Sequence, residues 1–313
     1  MELPKYSDEE IVAARPEKAK VDPWQPYAYH IEEERSAAGT VDNVATLFLT
    51  NRECPFRCLM CDLWKNTTDE TVPEGAVPAQ IDYALERLPE AQHVKLYNSG
   101  NFFDRKAFPP SDRSAIAERV RDFDTVIVEN HPKLCRDVCV EFRDRLDGRL
   151  EIALGLETAH PTVLDRLNKR MTRDDFRRAV GFLRENDIDV RTFILLRPPF
   201  LSEDEGVEWA LRSIEFAFDA GVQCASVVPT RSGNGIMQQL EEDDHFEPPS
   251  MSSIETVLQE GLRMNRGRVF MDLWDLERFY ECETCGPERR ERLQRMNLTQ
   301  TVQPPVRCTC SGR

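Results

Sequence analysis

TRDDFRRAVGFLRENDIDVRTFILL, residues 172–196, holds a helical pattern and a strand pattern in immediate succession. Phe176, Ala179, Val180 and Leu183 recur at i, i+3, i+4 and i+7, which puts them on one helical face, and Thr172 with Asp175 has the spacing of a capping box. From Val190 to Leu196 that period gives way to β-branched and apolar residues, the composition of a strand. The device then repeats. Ser202 and Glu205 open a helix with Val207, Ala210, Leu211, Ile214 and Phe218 on one face, Gly221 closes it, and a strand follows at 224–228. Further strands are expected at 44–50, 93–97, 125–129, 150–155 and 268–272. Strand followed by helix, six times over, implies a parallel sheet with helical crossovers. The fold expected is α/β, a partial (β/α)6 barrel of the TIM type, since an eightfold barrel needs roughly 250 residues. Residues 1–40 read as a polar arm in which Glu32-Glu33-Glu34-Arg35 suggests a solvated helix, 41–272 as the barrel, and 273–313 as a small cysteine-rich extension.

The 313 residues, 40% hydrophobic with only 14 glycines, exclude a collagen, a coiled coil and a wholly disordered chain. Lys and Arg total 41 against 56 Asp and Glu, a net charge of −15, which argues against a general nucleic-acid coat but not against a local basic patch. The apolar runs are far shorter than the roughly 20 residues that span a bilayer, and the first ten residues have no apolar export core, so a cytoplasmic chain with no membrane association is expected.

In that compartment ten cysteines point to metal or catalysis rather than disulfides. In a parallel α/β fold the active site lies at the carboxyl ends of the strands, here the loops 51–64, 98–104, 129–132, 155–160, 197–200 and 229–235. The first of them carries Cys54, Cys58 and Cys61. Three thiolates at this spacing suit three irons of a 4Fe-4S cube and leave the fourth iron open; buried thiols, or three ligands of a zinc site, are the plainer alternatives. Cys282, Cys285, Cys308 and Cys310 form two close pairs, a common route to a four-thiolate site for zinc or, in second place, another iron-sulfur cluster. Cys135, Cys139 and Cys224 read as core or incidental. Arg289, Arg290, Arg292 and Arg295 make a local basic helix that suits tRNA phosphates, or else pairs internally with its own glutamates.

Cys54-x-x-x-Cys58-x-x-Cys61 after the first strand of a βα repeat resembles the radical S-adenosylmethionine (SAM) superfamily. The runs 126–132, 154–160, 167–170 and 194–200 are similar to the branch that contains the Elongator catalytic subunit and, within it, the archaeosine synthase radical SAM subunit. That branch typically has Ser-Gly-Ser-Phe-Phe-Asp where this chain has Ser99-Gly-Asn-Phe-Phe-Asp104, and an Arg where it has His131. The resemblance implies a 4Fe-4S cluster that cleaves SAM to a 5′-deoxyadenosyl radical, an electron donor, and lyase-type chemistry on a tRNA base. That chemistry is carbon-nitrogen cleavage in a lysine adduct of 7-deazaguanine, with a tRNA-recognising partner subunit. It places SAM against Ser99, Gly100 and Asn101, against Glu129 and Glu157 at two strand ends, and against Arg170 or Arg197 for the SAM carboxylate. A plain turn at 98–100, a generic acidic surface and arginines answering a helix dipole are the bland readings of the same residues. No catalytic residue beyond the cluster ligands is assigned. With no acetyltransferase segment recognised in the chain, the complete Elongator activity is not expected. A radical SAM enzyme for a small metabolite or peptide, and a non-catalytic iron-sulfur protein, stay open as alternatives.

Overall fold

The computed structural model describes residues 3–308 and 310. Eight strands, β1 (Ala28–Arg35), β2 (Val41–Phe48), β3 (His93–Tyr97), β4 (Thr125–Asn130), β5 (Arg149–Glu157), β6 (Asp189–Leu196), β7 (Cys224–Pro229) and β8 (Arg268–Met271), lie side by side in chain order. Strands β2 to β8 run parallel and β1 is antiparallel to β2. The helices are α1 (Asp8–Ala13), α2 (Ala76–Leu85), α3 (Asp112–Val120), α4 (Asp137–Arg143), α5 (Pro161–Arg166), α6 (Arg173–Glu185), α7 (Glu203–Ala220), α8 (Ile236–Glu242), α9 (Met251–Arg263) and α10 (Gly286–Thr299). Six helical crossovers join the parallel strands, so the partial barrel expected from the periodicity is the architecture found. The caps expected from sequence are formed as well. Thr172 and Asp175 bond reciprocally at the start of α6, Ser202 and Glu205 do so at α7, and Gly221 ends α7 at φ 104°.

The stretch read as a solvated arm behaves differently. Residues 28–35 are strand β1, and Glu32 and Glu34 turn into the barrel instead of into water. The Lys95 ammonium donates to Glu32 at 2.8 Å and to Glu34 at 2.6 Å, Arg191 Nε reaches Glu151 at 2.5 Å, and Arg268 reaches Glu151 at 2.8 Å. Arg191 also holds both oxygens of Glu34. Three carboxylates and three cations from β1, β3, β5, β6 and β8 therefore form one layer, buried except at Glu32, which is partly exposed. Its members are far apart in sequence, and without their partners such charges read as surface. Because Arg268 on β8 also donates to the Arg35 carbonyl on β1 at 3.1 Å, the two ends of the sheet are drawn together at this level.

Alternation along the strands separates two faces. Leu47, Leu96, Val128, Ile152, Leu154 and Ile194 point outward under the helices and are fully buried. Inward stand the ion layer and, nearer the carboxyl ends, Phe48, Tyr97, Glu129, Phe193 and Phe270. A second, smaller apolar cluster lies on the carboxyl-end side, where Ile11 of α1 packs with Leu59, Val163, Leu167, Ile236, Met237 and Leu240. The N-terminal segment thus belongs to the rim of the barrel.

Candidate functional site

The loop after β2 carries Cys54, Cys58 and Cys61, and its backbone is held from several elements. Leu59 N donates to Leu167 O at 2.9 Å, Asn168 Nδ2 to Arg57 O at 2.8 Å, and Asn234 Nδ2 to Leu59 O and Cys61 O at 2.8 and 3.0 Å. Trp64 Nε1 adds a bond to Cys61 O at 3.1 Å. Glu53, next to the first cysteine, is clasped by Arg15 and Lys18 of the N-terminal segment, each at 2.7 Å, and by Arg57 at 2.8 Å. The ring of Phe56 stacks on His131 with centroids 3.9 Å apart. His131 in turn accepts from Lys133 N at Nδ1 and bonds Lys169 O at 3.0 Å through Nε2, and burial pushes its pKa down to about 3, so it is a neutral prop for the loop. Cys58 is buried and Cys54 and Cys61 are half-buried, and the loss of solvent lifts Cys54 to about 11 and Cys58 and Cys61 to about 12. Three desolvated sulfurs that resist ionisation alone are a donor set suited to a positively charged metal group, which would deprotonate them outright.

The loop after β3 closes on this cysteine loop. A Cβ added to Gly100 would lie 3.3 Å from Cys54 Cβ, so a glycine is what allows the approach. Asn101, buried, points Nδ2 at Cys54 Sγ at 3.1 Å. Ser99, at φ 51°, shares a hydrogen bond of 2.8 Å with the Tyr27 hydroxyl. Glu129 at the end of β4 organises the turn, its Oε1 accepting from Asn98 N at 2.6 Å and Gly100 N at 3.4 Å. Burial raises the Glu129 carboxyl to about 7 against the pull of those amides. Thr50 and Thr230, on the inward side of the ends of β2 and β7, have buried hydroxyls with no partner among the described residues. This rim therefore fits a bound polar group beside the cysteines.

Opposite, Glu157 sits after a register shift in β5 at φ 66° and pairs with Lys169 at 2.5 Å, both buried. A Cβ on Gly155 would lie 2.3 Å from Glu157 Oε1 and from Lys169 Nζ, so this glycine makes room for the pair. Burial works against the Lys169 ammonium, but the Glu157 carboxylate, by its charge and its hydrogen bond, is the leading influence that raises it again and holds the charge. The sequence singles out Arg170 in Asn168-Lys169-Arg170, whereas the inward residue is Lys169. Asn168 and Arg170, both at positive φ (52° and 54°), aim away, Asn168 to Asp8 and Arg57 O and Arg170 to Asp8. Arg197 is held by Glu203 at 2.6 Å, by Pro248 O at 2.7 Å and by Glu247. The changes of backbone hand on either side of Lys169 are invisible to a periodicity argument, which is why Arg170 and not the inward Lys169 stands out in sequence.

On the same side of the molecule, near the N-termini of α9 and α10, the sulfurs of Cys282, Cys285, Cys308 and Cys310 all lie within 4.8 Å of one another. A tetrahedron with arms of about 2.3 Å has edges of about 3.8 Å, so the four suit a single thiolate-bound ion. Backbone N–H groups of Cys285 and Thr284 donate to the Cys282 sulfur and pull its thiol down to about 6. The basic stretch of α10 is only half available. Arg289 pairs with Glu255 at 2.8 Å, and Arg292, 2% exposed, pairs with Glu255 at 3.0 Å while donating to Gln303 O and Pro304 O. The expectation of a four-arginine patch is corrected to the exposed Arg290, itself paired with Glu277 at 3.5 Å, and Arg295, because the other two arginines fasten α10 to α9 and to the chain after it.

No protein-family model matches the chain. It is 25% identical over 320 residues to a protein of Methanocaldococcus jannaschii described as uncharacterized, a match covering 94% of this chain and 87% of that one. It is 29% identical over 226 residues to archaeosine synthase subunit beta of Thermococcus kodakarensis, 69% of each chain. Among solved structures, the Elp3 of Methanocaldococcus infernus superposes with a TM-score of 0.52 at 13% identity, over 82% of this chain and 63% of that one.

Proposed function

We propose that the chain is a radical SAM enzyme of the Elp3-like branch, that Cys54, Cys58 and Cys61 hold a 4Fe-4S cluster whose fourth iron takes SAM, and that the substrate is a base in tRNA. One observation carries the site: the three thiols, Cys58 buried and Cys54 and Cys61 half-buried, the close approach of Gly100 and the buried Lys169–Glu157 pair all meet at one rim of the barrel. When bound, the cluster supplies the electron that cleaves SAM and so starts hydrogen abstraction from the substrate. The protein's part is positional. Glu129 holds the Asn98–Gly100 turn against the cysteine loop, Ser99 and Asn101 face the same space, and Lys169 offers a cation for the SAM carboxylate with Glu157 beside it for the ammonium or ribose. Arg170 and Arg197, already held by Asp8 and by Glu203 with Glu247, fix the N-terminal segment and the loop after β6.

The substrate assignment draws on the relatives named archaeosine synthase subunit beta. On that reading the chain performs carbon-nitrogen cleavage on a lysine adduct of 7-deazaguanine, with an electron donor and a partner subunit that recognises tRNA. The reduced basic patch and the net charge of −15 both favour recognition by the partner. The four-sulfur site near the end of the chain is assigned to zinc, with a structural role, since four thiolates leave no open position.

Anaerobic reconstitution tests the centre. The wild-type chain should show a 4Fe-4S spectrum and, once reduced, cleave SAM, and Cys54→Ala, Cys58→Ala and Cys61→Ala should each abolish cleavage. Normal cleavage in any of the three would refute the assignment, and an intact cluster that never cleaves SAM would leave a non-catalytic iron-sulfur protein. A tRNA modification profile of a deletion strain decides the substrate: an unchanged profile beside active SAM cleavage favours a small metabolite or peptide.

A further inference from the structure

The loop after β3 brings a side-chain donor onto a sulfur of the cysteine loop. Asn101 Nδ2 lies 3.1 Å from Cys54 Sγ, and the residue is only 3% exposed, so water does not compete for the contact. An amide N–H can only donate here, and an ionised sulfur can only accept. Cys54 takes this bond besides one from Phe56 N, whereas the hydrogen bonds to Cys58 and Cys61 come from backbone N–H groups.

Both chain neighbours of Asn101 hold it in place. Gly100 lets the turn close on Cys54, since a Cβ there would lie 3.3 Å from Cys54 Cβ, and its N–H is held by Glu129 Oε1 at 3.4 Å. Phe102 N donates to Glu129 O at 2.9 Å, and the Phe102 ring is fully buried against Phe103, Phe108 and Phe142, with centroids 5.2, 5.3 and 5.1 Å away. A dipole fixed on both sides stays aimed at the sulfur and needs no reorganisation when the charge there changes.

Reducing a 4Fe-4S cluster by one electron adds negative charge that its ligand sulfurs share. A donor aimed at one of those sulfurs therefore stabilises the reduced form more than the oxidised one. We propose that the Asn101 amide raises the reduction potential of the cluster through its bond to Cys54, so that a weaker electron donor suffices to reduce it. One electron enters from that donor, no bond breaks, and the Asn101 protons stay on their nitrogen. The inference rests on the cluster reading and adds an electronic role to the position of Asn101 on the rim.

Potentiometric titration of the reconstituted chain without SAM, followed by the EPR signal of the reduced cluster, tests it. A hydrogen bond of ordinary net strength corresponds to roughly fivefold in an equilibrium constant. Asn101→Leu should therefore cut the ratio of reduced to oxidised cluster at the wild-type midpoint roughly fivefold, a fall of about 40 mV at about 59 mV per tenfold for one electron. Tyr27→Phe is the control. It removes the 2.8 Å bond that ties Ser99 of the same turn and touches no sulfur, so its midpoint should match wild type. An Asn101→Leu midpoint equal to or above wild type, or an equally large fall in Tyr27→Phe, would overturn the inference and leave the cluster reading intact. A wild-type chain that assembles no 4Fe-4S cluster would remove that reading and the inference with it. If only Asn101→Leu fails to assemble the cluster, pulsed EPR of the reduced wild-type chain made with side-chain 15N-asparagine decides: a 15N coupling to the cluster supports the hydrogen bond, and its absence overturns it.

Discussion

At the scale of single residues, the buried pair Lys169–Glu157 carries the sharpest consequence. Removing one partner of such a pair leaves an uncompensated charge and costs about 3–5 kcal/mol. Lys169→Met should therefore lower stability by that order and weaken SAM binding, and Glu157→Gln added to it should recover much of the stability without restoring SAM affinity. Denaturant unfolding and a SAM titration on the same three proteins check both halves. Glu129 yields a pH effect. Its carboxyl is lifted by burial from 4.5 to about 7 in the folded chain, so the native state keeps a proton that the unfolded chain releases. The stabilisation is fully present below about pH 4.5 and is lost as pH rises through 7. Glu129→Gln should flatten the decline of Tm between pH 5 and 7.5 relative to wild type, and an unchanged slope would contradict the assignment.

At the scale of elements, α10 and the four sulfurs beside its N-terminus act as a fastening. Arg289 and Arg292 bind Glu255 of α9, Asn297 bonds Met271 of β8 in both directions, and Gln300 does the same with Val269. With an ion bound among Cys282, Cys285, Cys308 and Cys310, this helix is pinned at both ends. Cys308→Ser should lose about one equivalent of zinc by metal analysis and lower Tm by several degrees, while the 4Fe-4S absorbance per chain stays at the wild-type value. Loss of iron and sulfide in place of zinc would mark the site as an auxiliary cluster. The N-terminal segment is a second fastening, since Ile11, Arg15 and Lys18 grip the cysteine loop from outside the barrel.

At the scale of the whole molecule, the net charge of −15 repels nucleic acid at long range, and only Arg290 and Arg295 of the α10 arginines stand free of the α9 contact. Isolated chain should bind tRNA weakly and gain affinity with a basic partner present. Arg290→Ala with Arg295→Ala should reduce the salt slope of tRNA binding by no more than about 2, the limit for two phosphate contacts. Arg289→Ala and Arg292→Ala should instead lower stability. Filter binding across salt concentrations, paired with thermal unfolding, separates the two sets.

Local pattern determined a good deal by itself. The α6 and α7 caps, the seven parallel strands and the cysteine loop at a strand end were all legible, because a helix face, a capping box and a carboxyl-end loop depend on residues within a few positions of one another. What tertiary structure alone decided depends on residues brought together from distant strands. Glu32 and Glu34 read as solvated until Lys95, Arg191 and Arg268 arrive from the other side of the barrel. Lys169 faces inward, ahead of Arg170, because the backbone reverses hand on either side of it. Arg292 is a buried tether, since Glu255 and the Gln303 carbonyl meet it there. A charge in sequence carries no label of its partner, and burial becomes tolerable only once that partner is in place.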